Sequence, residues 1–260
     1  MTVSLQRCDA VATIELDRHE AMNAWDRELG EALRAAVEEC AEDAAVRAVL
    51  VTGAGRAFSA GADLKAGFDP TPEGYPDVRT ALTERYHPII AGIREMPKPV
   101  VAAVNGAAAG IGCSLALACD LVIAAESAYF LLAFVNIGLV PDGGSSLLIP
   151  SRVGFARAAE MALLGERIPA PKALEWGLIN RVVADDALQA EAAALADRLA
   201  AGPTRSYAGT KRQLNARVFA GWKEQLELEA QIQQEMAASG DFAEGVAAFV
   251  EKRPASFAGR

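Results

Sequence analysis

Two loops of very small residues, each directly after a run of β-type residues, constrain the fold of this 260-residue chain most strongly. The first loop is residues 57–64 (AFSAGADL), and the second is residues 105–112 (NGAAAGIG). Because no bulky side chain stands in the way, a ligand can approach the backbone of such loops closely. Two converging N–H groups would then hold a negatively charged oxygen, as chemistry through an enolate requires.

The first half of the chain alternates buried strands with helices. Predicted strands cover residues 3–7, 11–16, 46–52, 100–104 and 120–124, and predicted helices cover residues 27–43, 78–95 and 111–119. Asp26 precedes the first helix and is its predicted N-cap, since its carboxylate accepts from free N–H groups. Strand–turn–helix steps of this kind favour a parallel sheet covered by helices.

After Pro150 the predicted elements become almost entirely helical. They cover residues 154–164, 170–176, 186–201, 204–217, 222–239 and 241–253. We therefore expect an α/β core in residues 1–150 and a mostly helical region in residues 151–260. Apolar positions such as Leu226, Ala230 and Ile232 face either the same protomer or a neighbour.

Composition excludes several classes of function. Hydrophobic residues make up 52% of the chain, which suffices for the core of one large α/β domain. The formal net charge of −9 argues against a nucleic-acid partner, so local cations or N–H groups must meet any anionic ligand. The N-terminus lacks a signal-peptide pattern, and no segment approaches the roughly 20 apolar residues of a membrane span. We expect a cytoplasmic protein without a membrane partner.

The cysteines and histidines show no metal-binding spacing. Cys8, Cys40, Cys113 and Cys119 contain no C-x-x-C pair and lie in apolar surroundings, so we expect buried free thiols. The sequence predicts no metal site.

A third segment, residues 137–144 (IGLVPDGG), extends the pattern. Together with the two loops it resembles the enoyl-CoA hydratase/isomerase family, also called the crotonase superfamily. Residues 14–18 (IELDR), 21–24 (AMNA) and 248–253 (AFVEKR) add to the resemblance, which covers nearly the whole chain. It implies a β-β-α spiral core with a helical C-terminal trimerisation region. It also implies an acyl-CoA thioester substrate and a homotrimer or a dimer of trimers.

The resemblance places an oxyanion hole on the two small-residue loops. One N–H comes from Ala62, and the other comes from Ile111, with Gly110 just before it. Ile111 lies at a predicted helix start, where aligned peptide dipoles place partial positive charge. The alternative is that both loops are only tight turns.

The family's hydratases use two glutamates, which fall here on Ser114 and Phe134. Neither residue can activate water as a carboxylate does. Asp142 matches the acid/base of some isomerases in the family, and burial against apolar neighbours would raise its pKa into a useful range. Alternatively, Asp142 only caps the next helix. Phe134 and Phe130 either line an acyl pocket or belong to the core, and we expect only Phe134 to line the pocket in part.

Contacts to coenzyme A are implied by the resemblance. Arg18 and Ala21 would meet the nucleotide end, with Arg18 and Lys252 facing phosphates. Residues bordering adenine and pantetheine would be Ala60, Asp63, Leu64 and Lys65, with Asp63 closing the turn. Phe249 and Lys252 would reach the ligand of a neighbouring protomer. The alternative is that Arg18 and Lys252 are solvated surface charges.

These residues predict an enzyme that shifts the double bond of an enoyl-CoA by proton transfer through Asp142. It needs no cofactor, because coenzyme A is part of the substrate. Hydration by a non-standard route is one alternative. A catalytically silent acyl-CoA-binding protein is another, since both hydratase glutamates are missing.

Overall fold

A computed structural model describes residues 2–260, and its ten strands form two sheets. The larger sheet has six strands in the order β1-β2-β3-β5-β7-β10, and the smaller has four in the order β4-β6-β8-β9. The strands are β1 (Val3–Cys8), β2 (Val11–Leu16), β3 (Ala48–Gly53), β4 (Ala57–Ser59), β5 (Val100–Val104), β6 (Ala107–Ala109), β7 (Leu121–Ala125), β8 (Tyr129–Leu131), β9 (Ile168–Pro169) and β10 (Arg181–Val183).

Ten α-helices lie within residues 2–260. They are α1 (Arg27–Glu42), α2 (Val78–Thr80), α3 (His87–Glu95), α4 (Ile111–Ala118), α5 (Ser145–Leu164), α6 (Ala170–Glu175), α7 (Leu188–Ala201), α8 (Thr204–Val218), α9 (Trp222–Ala237) and α10 (Gly240–Glu251). A π-helical segment, Ala81–Tyr86, joins α2 to α3, so the helix predicted over residues 78–95 is continuous. Asp26 caps α1 as predicted, because its side chain accepts from the Leu29 N–H at 2.8 Å.

Three successive β-β-α units build the centre of the molecule. In each unit the first strand joins the larger sheet and the second joins the smaller one: β3 with β4, β5 with β6, and β7 with β8. Strands β3 and β5 are buried along their whole length, as expected for parallel strands covered on both faces. The two small-residue segments contain β4 and β6, which are parallel neighbours, so the turns that follow these strands lie at one edge of the smaller sheet.

Helix α4 runs through the centre of the core, and all eight of its residues are buried. The backbone carbonyl groups at its C-terminal end are held by two arginines. Arg152 donates to the carbonyls of Leu117 at 2.5 Å and Cys119 at 3.1 Å, and Arg94 donates to that of Ala118 at 2.7 Å. Cationic side chains at a helix C-terminus also interact favourably with the helix dipole.

The region after residue 150 is mostly helical, but it does not begin at a break in the structure. Helix α5 continues through Pro150 and contains a non-helical residue at Gly154 instead (φ 76°, ψ 170°). Strands β9 and β10 pair with β8 and β7 of the core sheets. The division of the chain into residues 1–150 and 151–260 stays a prediction.

Two further predictions concern burial. Cys40, Cys113 and Cys119 are buried free thiols, whereas Cys8 is exposed, because it lies at the end of the edge strand β1. Leu226 and Ala230 of α9 pack into this chain's own core. Across residues 2–260, no helix is both long enough and apolar enough to span a membrane.

Candidate active site

A cavity of about 360 Å³ opens where the two small-residue loops meet. Several residues singled out from the sequence line it, namely Ala60, Ala62, Leu64, Gly110, Ile111, Phe134, Asp142 and Phe249. The rest of its lining is mainly apolar and includes Val78 and Leu82 from the helices after the first loop. Two other cavities, of about 420 and 560 Å³, lie beside α8 and away from both loops.

Buried side-chain hydrogen bonds hold the first loop in place. The Asn23 Nδ2 group donates to the carbonyls of Ala57 at 2.8 Å and Phe58 at 3.2 Å. Ser59 Oγ donates to the Asn23 carbonyl at 2.8 Å and accepts from the Gly61 N–H at 3.3 Å. Asn23 and Ser59 are fully buried, so the loop is anchored by groups that have no water to compete for them.

The N–H group of Ala62 is left without an acceptor by this arrangement. On either side of it, Trp25 N–H donates to the Gly61 carbonyl at 2.7 Å and Asp63 N–H donates to the Trp25 carbonyl at 3.0 Å. Adjacent N–H groups of an extended segment point to opposite sides, so the Ala62 N–H points away from Trp25. Nothing within residues 2–260 accepts a hydrogen bond from it.

The second loop supplies another free N–H group. Gly110 has φ 52° and ψ −128°, a conformation that essentially only glycine adopts, and it turns the chain into α4. Ile111 is the first residue of α4, and its N–H likewise finds no acceptor in the described part of the chain. A Cβ atom on Gly110 would lie 3.8 Å from the Cα of Gly61, so the two loops are in van der Waals contact.

Gly112 allows α4 to approach the first loop. An added Cβ would lie 2.6 Å from Cβ and 2.7 Å from Oγ of Ser59. We expect Gly112→Ala to push α4 away from the loop, to cost about 1–3 kcal/mol of folding free energy, and to lower kcat by about 10²-fold. Chemical denaturation and steady-state kinetics on an acyl-CoA substrate measure the two effects.

Gly30→Ala is the matched control for that substitution. Gly30 lies in α1 with no atom within 4 Å of its added Cβ, so the change should stabilise the helix slightly. Equal kinetics for the two variants would contradict the role assigned to the contact between Gly112 and Ser59.

Asp142 presents a buried carboxyl group to the cavity. It is 6% exposed, and its Oδ2 accepts from Gln233 Nε2 at 2.7 Å. Its Oδ1 is buried and has no hydrogen-bond partner among residues 2–260. Burial, and secondly the charge of Glu229, raise the pKa of Asp142 to about 8, against the opposing effect of the hydrogen bond from Gln233. A carboxyl with such a pKa can both take and return a proton near neutral pH.

Helix capping is not the role of the Asp142 side chain. The N-terminus of α5 is capped by Glu229, whose carboxylate accepts from the N–H groups of Gly144 at 2.7 Å and Ser146 at 3.1 Å. The alternative of a purely capping aspartate is therefore wrong.

Ser114 and Phe134, at the two hydratase glutamate positions, are placed for packing. Ser114 Oγ donates to the backbone carbonyl of Asp142 at 2.8 Å, which ties α4 to the turn that carries the carboxyl. A Cβ on Gly143 would lie 2.9 Å from that of Ser114, so the main chain fills the space beside it. Phe134 lines the cavity as expected, and Phe130 is fully buried in the core.

Comparison with known proteins decides the family. Residues 6–260 match the family described as enoyl-CoA hydratase/isomerase. The chain belongs to this family. Enzymes of the family act on acyl-CoA thioesters, and the chain is one of these enzymes.

Individual relatives in the family carry different activities in their names. The chain is 45% identical to the "Probable enoyl-CoA hydratase" of Rhodobacter capsulatus, over 100% of this chain and 98% of that protein. It is 41% identical to the "1,2-epoxyphenylacetyl-CoA isomerase" of Escherichia coli, over 96% and 95% of the two chains. An enoyl-CoA hydratase structure from Mycobacterium avium subsp. paratuberculosis superposes with a TM-score of 0.90 at 37% identity, covering 99% of each chain. The β-β-α architecture is therefore the crotonase fold.

The residues that the family resemblance assigns to coenzyme A are only partly placed at the cavity. Arg18 is held by Asp63 at 2.7 Å and by Asp26 at 3.2 Å, so its charge is shared with two carboxylates. Asp63 also closes its turn as expected, since its Oδ1 accepts from the Lys65 N–H at 3.0 Å. Ala60 and Leu64 line the cavity, whereas Arg18, Ala21, Asp63 and Lys65 lie outside its lining. Their contacts to coenzyme A stay predictions.

The tail motif lies across the mouth of the same chain's cavity. Phe249 and Arg253 line the cavity, and Phe249 is 55% exposed. Lys252 is exposed and ends α10 in a left-handed conformation. The contact of Phe249 and Lys252 with a neighbouring protomer's ligand stays a prediction.

Three side chains at the site were not predicted from the sequence. Gln233 and Glu229 come from α9, about 90 residues after Asp142, and their four-residue spacing is the only local signal. Tyr86 lines the cavity from the π-helical segment, with its ring 5.3 Å from that of Trp25 in an edge-on contact. Burial raises the pKa of Tyr86 to about 12, so its phenol stays neutral. Within residues 2–260, no three His, Cys, Asp or Glu side chains are grouped so as to hold a metal ion.

Proposed function

We propose that this enzyme moves the double bond of an enoyl-CoA between the 3,4 and 2,3 positions, with Asp142 as the single acid/base. The observation that carries the proposal is a lone cavity-lining carboxyl beside two unpartnered N–H groups, with Ser114 and Phe134 in place of the hydratase glutamates. A double-bond shift needs one such group, whereas hydration needs a base to activate water and an acid to protonate carbon.

The proposed reaction begins at the thioester carbonyl, whose oxygen accepts hydrogen bonds from the N–H groups of Ala62 and Ile111. The Asp142 carboxylate removes a proton from C2 of the 3-enoyl chain, and the electron pair moves onto the carbonyl oxygen as a dienolate. The two N–H groups stabilise that negative charge. Asp142 then returns the proton to C4, which leaves the double bond between C2 and C3. No cofactor takes part, because coenzyme A belongs to the substrate.

The lining of the cavity supports a substrate with an apolar acyl group. Val78, Leu82, Tyr86 and Phe134 surround the space beyond the two loops. An apolar enclosure also excludes water from the dienolate, which disfavours addition of hydroxide to the chain. Two relatives are named as isomerases, and the "Trans-2-decenoyl-[acyl-carrier-protein] isomerase" of Streptococcus mutans is the one whose named substrate carries a double bond. The Escherichia coli relative is named for a CoA thioester that carries an epoxide instead.

Product analysis tests the proposal against its alternatives. A 3-enoyl-CoA and a 2-enoyl-CoA of equal chain length are supplied separately to the purified protein, and the CoA esters are separated by chromatography. We expect the two esters to interconvert without formation of 3-hydroxyacyl-CoA. A 3-hydroxyacyl-CoA as the main product would show instead that the protein is a hydratase, the activity in the name of the Rhodobacter capsulatus relative. Tight binding with no product from either ester would establish a catalytically silent binding protein.

Assembly into trimers or dimers of trimers also belongs to the proposal. It is supported by large apolar side chains that α5 leaves uncovered, since Phe155 is 84% exposed and Leu163 is 72% exposed. Large exposed apolar side chains are typical of surfaces that contact another protein.

We propose further that the protein acts in the cytoplasm, without nucleic-acid or membrane partners, in keeping with its net charge of −9.

A further inference from the structure

Helix α9 presents a row of polar side chains to the turn that carries Asp142. Gln225, Glu229 and Gln233 follow one another at intervals of four residues and so share one face of the helix. Gln225 Nε2 donates to Ser146 Oγ at 2.9 Å, Glu229 caps α5, and Gln233 contacts Asp142 itself. Glu229 is 3% exposed and Gln233 is fully buried, which is unusual for side chains without a role in a network.

The orientation of the Gln233 amide is set at both of its ends. Its Oε1 accepts from the Val140 N–H at 3.4 Å, which leaves Nε2 to donate to Asp142 Oδ2 at 2.7 Å. The Nε2 group has hydrogens to give and no lone pair to offer. Oδ2 of Asp142 is therefore held as an acceptor, and a proton placed on it would lie against the hydrogens of Gln233.

We infer that Gln233 and Glu229 are positioning residues for Asp142, with Gln233 reserving Oδ2 as an acceptor so that the transferred proton travels on Oδ1 alone. The inference rests on the proposed function, since it assigns the proton of that reaction to one oxygen. The proton leaves C2 of the substrate for Oδ1 and passes from Oδ1 to C4, while Oδ2 keeps its bond to Gln233 throughout. Oδ1 is the oxygen that has no partner among residues 2–260.

Glu229 acts on Asp142 through its charge. Burial raises the pKa of Glu229 to about 7, against the opposing hydrogen bonds from Ser146 and Gly144. Its ionised form disfavours a second negative charge on Asp142, so the two carboxyls titrate as a coupled pair.

The other titratable groups around the cavity are Tyr86 of the π-helical segment, which is neutral, and Arg253 of the tail, which is paired with Glu244 and Glu251. From α4, Ser114 faces the turn with a hydroxyl that does not titrate in this range.

The two positioning residues should shift the pH profile in opposite directions. Gln233→Met removes a hydrogen bond that favours the carboxylate, so the midpoint of the rise in kcat/KM with pH should move up by about one unit. Glu229→Gln removes a like charge, so that midpoint should move down. Because the substrate is held by other groups, we expect kcat to fall about tenfold in Gln233→Met with little change in KM.

Kinetics on a 3-enoyl-CoA from pH 5 to 10 measures these shifts, with Gln225→Met as the matched control that should leave the midpoint in place. Exchange of the C2 proton of a saturated acyl-CoA with D2O provides a second readout of proton transfer. A general loss of packing cannot move the pH midpoint of kcat/KM in opposite directions in the two variants. If Glu229→Gln fails to fold, the upward shift of that midpoint in Gln233→Met is the result that tests the inference. Unchanged midpoints would overturn the positioning roles while Asp142→Asn, if inactive, upholds the proposed function. Full turnover by Asp142→Asn would overturn both.

Discussion

Asp142→Asn should lower kcat for double-bond migration by about 10²–10⁴-fold, because the variant has no group that can take the proton from C2. KM for the CoA thioester should change little, since the proposed contacts of Ala62 and Ile111 with the carbonyl use main-chain N–H groups that the substitution leaves in place. The amide is nearly the same size as the carboxyl, and its oxygen can still accept from Gln233. Steady-state kinetics and titration with a non-reacting acyl-CoA separate the two quantities.

The same variant should gain stability at high pH. Burial raises the pKa of Asp142 from 3.8 to about 8, so the wild-type fold loses stability as the pH rises between these two values. Asparagine has no charge to bury, and above pH 8 the variant should unfold at a higher temperature than the wild type. An active site that gives up function and gains stability in this way is typical of a residue kept for chemistry.

Asp197→Asn is the control for this pair of measurements, because Asp197 is exposed and its side chain makes no hydrogen bond within the described residues. It should change neither kcat nor the unfolding temperature. Wild-type turnover by Asp142→Asn would remove Asp142 from the reaction.

Asp120→Ala should cost about 3–5 kcal/mol of folding free energy, because it leaves two buried cations without their counter-ion. The Asp120 carboxylate pairs with Arg94, accepts from Lys211 Nζ at 2.8 Å and accepts from the Val100 N–H at 2.9 Å. Arg94 and Lys211 are each 7% exposed. Since a whole domain is stable by only about 5–15 kcal/mol, the melting temperature should fall steeply.

The loss of stability in Asp120→Ala should affect the attachment of α8 first. Lys211 is the only residue of that helix that is buried in the chain, and it also donates to the carbonyls of Ile93 at 2.9 Å and Lys98 at 3.2 Å. The double variant Asp120→Ala with Lys211→Met should recover part of the stability, because one of the two unpaired cations is removed. Calorimetry measures both variants, and Asp197→Ala should lie within about 0.5 kcal/mol of the wild type. If the melting temperature of Asp120→Ala equals that of the wild type, the ion pairs of Asp120 with Arg94 and Lys211 do not contribute to the stability of the fold.

Local sequence predicted the parts of the site that depend on local geometry. The small-residue segments predicted two loops that a ligand can approach closely, and the resemblance to the family assigned Ala62 and Ile111 to a site there. Apolar neighbours predicted that Asp142 is buried, which the structure confirms. The loops and the burial follow from hydrophobic periodicity and small-residue turns within about ten residues of each position, whereas the roles of these residues were implied by the resemblance.

Contacts across long stretches of sequence could not be predicted in this way. Glu229 and Gln233 lie about 90 residues from Asp142, and nothing in their spacing tells which segment their helix face covers. Pro150 suggested a boundary, but α5 continues through it and its irregular residue is Gly154. Arg18 suggested a phosphate contact, and its pairing with Asp26 and Asp63 depends on how the first loop folds back.

Helix α4 begins at Ile111 beside the cavity, and its C-terminal carbonyls are held by Arg94 and Arg152. Val78, Leu82 and the tail that includes Phe249 line the cavity from other segments of the chain. In the proposed function, substitutions in those outer segments should alter which acyl groups are accepted and leave the two main-chain N–H groups in place. One rigid thioester site could then be combined with different acyl pockets through changes confined to the outer segments.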